Sequence, residues 1–150
     1  MIAVGQKINT LLNTQFGHYR SMKQAVEKQT AYIEAMDIGG LTAGASETRS
    51  LMRKIRDLEA ELRPLRQGWN NLGWDRPVME KRLIDGIIDE IRAMIEEIQT
   101  VKNHNQTMLD RSMEGVRQQM TGLKKQTQVS KAYQPRPQVA TPARFIDRSE

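Results

Sequence analysis

Cysteine is absent from this 150-residue chain, so neither a disulfide framework nor a thiolate metal site exists in it. Aromatic residues make up only 5% of the sequence, so any core rests on aliphatic side chains and methionine. No apolar run approaches the roughly 20 residues that a membrane-spanning helix requires. The opening Met1-Ile2-Ala3-Val4-Gly5-Gln6-Lys7 turns polar too early for the core of a signal peptide. Together these absences predict a soluble, cytoplasmic protein that does not insert into membranes. Period-2 alternation of Val, Ile and Thr is missing, which argues against a sheet. Chemistry is equally scarce. The two histidines, His18 and His104, are far apart and lack metal-ligand spacing. Glu96 and Glu97 read as the solvated edge of an apolar helix face, and Gly39-Gly40 and Gly68 fall in helix connectors instead of a phosphate loop. The expectation is a protein with no catalytic residues, no metal and no cofactor.

What the chain does have is helical periodicity. Ile8, Leu12, Gln15, Tyr19, Met22, Val26, Gln29, Ile33 and Met36 follow an unbroken 4-3 spacing, the seam of a coiled-coil-like helix. Asp37-Ile38-Gly39-Gly40 reads as the reversal, its glycines supplying backbone freedom. A second helix beginning near Leu41 or Thr42 repeats the spacing at Thr48, Leu51, Ile55, Leu58, Leu62 and Leu65. Pro64 is expected to stop or kink it, and Arg66 to Trp74 reads as a loop clamped by Trp69 and Trp74. Asp75 is the expected N-cap of a third helix, with Pro77 in its first turn. That helix carries Ile84, Ile88, Ile91, Ile95 and Ile98 on one stripe. Leu83, Ile87, Met94, Val101 and Met108 lie on the next, a face wide enough for two partners.

Short connections make consecutive helices antiparallel neighbours. The predicted fold is all-α: an elongated antiparallel three-helix bundle over residues 1–128, followed by a disordered basic tail over 129–150. At the helical rise, a third helix from 76 to 128 is about 80 Å long, against about 50 and 36 Å for the first two. Its last part should therefore overhang the bundle. Leu109, Met113, Val116, Met120 and Leu123 continue the apolar spacing there, and an apolar stripe lacking an intramolecular partner marks an interaction site. Methionine suits such a surface, because its flexible thioether repacks around different partners. Asn103 and Asn105 admit two readings, a register-fixing polar position in the seam or the end of the packed bundle, and the second is preferred.

Charge is unevenly placed. The net charge is +5, yet residues 115–146 contain six basic residues and no acidic ones, so residues 1–114 sum to zero. A basic tail of this kind grips phosphates or docks on an acidic protein surface. Nucleic acid is set aside as a partner, because no basic helix face carries interleaved aromatics. Residues 129–150 hold Pro135, Pro137 and Pro142 and few apolar groups, too few to offset the entropy of folding alone. Tyr133, Phe145 and Ile146 are their only sizeable apolar anchors.

The segment Ala31-Tyr32-Ile33-Glu34-Ala35-Met36-Asp37, continued by Glu47, Leu51, Ile55 and Leu58-Glu59, resembles the first helical hairpin of FlgN-type flagellar export chaperones. Asn103-His104-Asn105 followed by Leu109 is similar to a late-helix cluster of that family. Tyr133 and the terminal Phe145-Ile146-Asp147-Arg148 are similar to its tail, except that Gln134-Pro135-Arg136-Pro137 replaces the glycine often found after the tyrosine. The resemblance implies a chaperone that binds hook-associated proteins of the hook–filament junction and delivers them to the flagellar type III export gate. On that reading Leu109, Met113, Val116, Met120 and Leu123 bind the client. Tyr133 contacts the cytoplasmic domain of the gate, with Lys131 and Arg136 steering it. The rival reading is a structural coiled-coil protein that forms homo-oligomers through the same stripe.

Overall fold

The computed structural model describes residues 3–133. Three helices account for nearly all of them: α1 (Val4–Glu34), α2 (Ile38–Asn71) and α3 (Val78–Tyr133), with a 3-10 turn at Gly73–Asp75 before α3. The described residues fall into two units that divide between Leu109 and Asp110, and α3 contributes to both. The first unit is the predicted antiparallel three-helix bundle.

Six of the nine seam positions of α1 are buried, Ile8, Leu12, Gln15, Met22, Val26 and Ile33, while Tyr19 and Gln29 are half-buried and Met36 is 59% exposed. One cluster joins Ile8 and Leu12 of α1 to Leu62 and Trp69 of α2 and to Ile84, Ile87 and Ile91 of α3. A second joins Met22 and Val26 to Leu51 and Ile98. Early α1 thus meets late α2 and early α3, which fixes the up-down-up order. Each buried isoleucine or leucine contributes about 1.5–3 kcal/mol of apolar transfer. Small residues sit in the interior as well: Ala25 is 1% exposed and Gly44 is buried, with the Gln29 side chain 3.6 Å from where its Cβ would lie.

The α1–α2 reversal departs from the expected one. Its left-handed residue is Met36 (φ 56°), while Gly39 and Gly40 sit in the first turn of α2. The Asp37 N–H donates to the Tyr32 carbonyl (2.9 Å) and the Met36 N–H to the Ile33 carbonyl (3.1 Å), a Schellman termination with methionine where glycine is usual. Asp37 then caps α2 by accepting from the Gly40 N–H at 2.9 Å. Gly40 is required by close approach, since a Cβ there would lie 2.5 Å from the Tyr32 ring.

Pro64 does not end α2, which continues seven residues further to Asn71. The proline and Ala60, whose carbonyl loses its helical donor, are both exposed on the solvent side, while Leu62 and Trp69 hold the helix to the core. Asp75 does not cap α3 either. It lies in the 3-10 turn, and the Pro77 carbonyl accepts the first bond from Lys81 at 2.9 Å. Trp69 is buried, but Trp74 is fully exposed and clamps nothing. Around Trp69 the bundle closes tightly: a Cβ on Gly5 would lie 2.8 Å from its ring and would clash with the Glu80 carboxylate.

Asn105 corrects the preferred reading of the asparagine cluster. It is 5% exposed; its side-chain amide donates to the Val26 carbonyl of α1 at 2.8 Å, and its oxygen accepts from the Thr30 hydroxyl at 2.5 Å. Asn105 is therefore a polar pin inside the seam, fixing the register of α3 against α1. At the other end Gln15 donates to the Glu59 carboxylate (3.2 Å), which Arg66 also holds. Burial pushes the neighbouring Tyr19 phenol above its usual pKa, and Glu59 adds to this while Arg66 opposes it.

The C-terminal end of α3 also differs from expectation. The helix reaches Tyr133 instead of ending near Gln128, and neither proline nor glycine interrupts the sequence from Leu123 to Gln134. The expected tail residues 134–150 lie outside the described residues.

Candidate functional site

Two apolar surfaces are open, one in each unit. In the first unit, a groove of about 400 Å³ runs between α2 and α3. Tyr19, Met22 and Val26 of α1 form its floor. Met52 and Ile55 of α2 face Ile95 and Ile98 of α3 across it. It exists because the α2 positions toward its upper end are small: Ala45 and Thr48 stand where a filled seam would carry leucine. Met52 is 48% exposed at the groove edge, so this apolar wall meets water. The charged residues lining it are Arg56 on α2 and Lys102 on α3, one cation per wall.

The second surface is the predicted client stripe. Leu109, the last residue of the first unit, is half-buried. In the second unit Met113 (49%), Val116 (37%), Met120 (39%) and Leu123 (62%) are all exposed. Every residue from Asp110 to Val129 is exposed except half-buried Ser112, so no side chain there belongs to a packed core. Of the expected gate contacts, Lys131 and Tyr133 fall in the last turn of α3, and Arg136 lies outside the described residues.

The chemical inventory is otherwise bland. No group of His, Cys, Asp or Glu among the described residues is arranged to hold a metal. None of the described helices is long and apolar enough to cross a membrane. The sequence reading missed the groove altogether. Its one signal was the Thr48 of the α2 seam, with Ala45 one turn before it.

Packed helices with apolar helical surface left open define a protein-binding module of the helical-bundle class. A family model described as FlgN protein matches residues 1–141, and the chain belongs to the FlgN family. That family consists of flagellar export chaperones, which bind flagellar proteins. No curated protein and no solved structure gives a match.

Proposed function

We propose that this chaperone binds hook–filament junction proteins through the stripe centred on Met113, Val116, Met120 and Leu123, and delivers them to the cytoplasmic domain of the export gate. One observation carries the reading: four apolar side chains at helical spacing, each more than a third exposed on a helix. An amphipathic helix of the client would lay its apolar face along them, and the two methionines would let the surface repack around more than one client. Burial of the client's sticky terminal helix would hold it unassembled until export. The last turn of α3, with Lys131 and Tyr133, and the following Arg136 form the second contact, toward the gate. Tyr133 supplies the apolar anchor there, and the basic residues accelerate encounter.

The test is a pair of variants in the full chain, read against a purified hook–filament junction protein and against the gate's cytoplasmic domain. Met113→Lys with Met120→Lys is expected to abolish the client complex while leaving the melting temperature nearly unchanged. Tyr133→Ala is expected to weaken gate binding and leave client affinity intact. Client binding that survives the double lysine change, or an equal loss of both partners in the tyrosine variant, overturns the two-site reading. A doubled mass in light scattering without any partner, lost in the double lysine variant, favours the self-associating coiled coil instead.

A further inference from the structure

We infer that the groove between α2 and α3 is a second docking site, separate from the stripe of the proposed function, and that it takes an amphipathic helix flanked by acidic residues. The groove has the features that a fourth helix needs. Its length along α2, from Ala45 to Arg56, is about 16 Å, or three helical turns. Its volume of about 400 Å³ takes a row of side chains from one face of a helix, with the helix body riding on the walls. The lining repeats at helical spacing on α2 (Ala45, Thr48, Met52) and α3 (Ile95, Ile98, Lys102), so an incoming helix meets ridges and hollows of matching period.

Charge selects the occupant. Arg56 and Lys102 lie on opposite walls, and no carboxylate lines the groove. A helix seated between them gains from Asp or Glu on both of its flanks and is repelled by Lys or Arg. The chain's own residues 134–150 fit poorly by this criterion. They carry three arginines against one aspartate and one glutamate, and their only large apolar side chains after the last proline are the adjacent Phe145 and Ile146. The second unit is no better suited, because Lys124 and Lys125 flank Leu123.

The experiment uses the full chain and three synthetic peptides of about 14 residues with Leu at i, i+3, i+7 and i+10. One has Glu on both flanks, one has Lys there, and the third is the Glu peptide with a central Pro that breaks the helix. The Glu peptide is expected to bind about tenfold tighter than the Lys peptide at low salt, with the difference shrinking as salt rises. It should shift amide resonances at Met22, Met52 and Ile98, and the Pro peptide should not bind. Met52→Glu is expected to abolish binding, and Arg56→Glu with Lys102→Glu to reverse the preference toward the Lys peptide. All three residues are solvent-facing, so the variants should keep the wild-type melting curve. Met113→Lys with Met120→Lys should leave this binding unchanged, which separates failure here from failure of the stripe. Equal affinity for the two charged peptides, binding that survives Met52→Glu, or resonance shifts confined to the stripe would each overturn the proposal. So would tighter binding after removal of residues 134–150, which would make the chain's own tail the occupant, or a dimer that Met52→Glu dissolves, which would make it a second copy.

Discussion

Two stretches of α3 carry similar apolar periodicity and meet opposite fates. In the first unit Ile84, Ile91 and Ile98 are 3–7% exposed. In the second, Met113, Val116, Met120 and Leu123 are 37–62% exposed. Helical spacing specifies which side chains share a face, but burial depends on what stands opposite. Ile8, Leu12 and Leu62 pack with Ile84 and Ile91, and Met22, Val26 and Leu51 with Ile98, whereas among the described residues no packed cluster includes the methionine stretch. An identical insult should therefore have opposite consequences in the two places.

The largest expected contrast comes from placing a carboxylate on each. Ile91→Asp buries an uncompensated charge and should cost more than about 4 kcal/mol, enough to unfold the bundle. Met113→Asp should change stability by less than about 0.5 kcal/mol. Chemical denaturation followed by circular dichroism measures both, and comparable losses would erase the distinction. The two tryptophans sharpen it further. Trp69→Ala should remove about 3–5 kcal/mol by opening a cavity against Leu62 and Ile84, while Trp74→Ala should be nearly silent. Next comes Asn105→Leu, which removes the bonds to the Val26 carbonyl and from the Thr30 hydroxyl and should cost about 1–3 kcal/mol. Relaxed register should accompany that loss, seen as doubled resonances around Val26; a single sharp set would deny Asn105 its role. The smallest effect belongs to the reversal. Met36→Gly should raise the denaturation midpoint by up to about 1 kcal/mol equivalent, because glycine adopts positive φ without strain. A lower midpoint would show that the methionine side chain does more there than its 59% exposure suggests.

Much of the fold was legible in the sequence because it depends on period alone. The α1 seam, the α2 leucines and the isoleucine row of α3 all follow from spacing. What was not legible depended on the far side of a contact. Pro64 reads as a helix breaker until its exposure and that of Ala60 show the lost bond to lie on the solvent side of the helix. Trp69 and Trp74 are the same residue five positions apart, and only what packs around Trp69, from Gly5 to Ile84, tells them apart. The Gly39-Gly40 pair drew the turn two residues too late, since a methionine at positive φ has no sequence signature. Asn105 looked like an exit from the bundle because its acceptor, the Val26 carbonyl, is 79 residues away. On the functional side, the exposed stripe was expected from spacing and helix length. The groove was not, because it arises from the separation of α2 and α3.

The short reversal between α1 and α2 carries a consequence for the order of assembly. The first two helices are joined across only three residues, whereas α3 docks through buried isoleucines and one asparagine pin. Loop closure favours the hairpin as the earlier event, so a nascent chain would hold a finished template before α3 has emerged. Reversal of that last step would release α3 as a cooperative unit and bare the isoleucine row, the stickiest surface the molecule owns. Native-state hydrogen exchange should register this as one shared opening energy for the amides from Ile84 to Asn105, lower than that of the hairpin's inner turns.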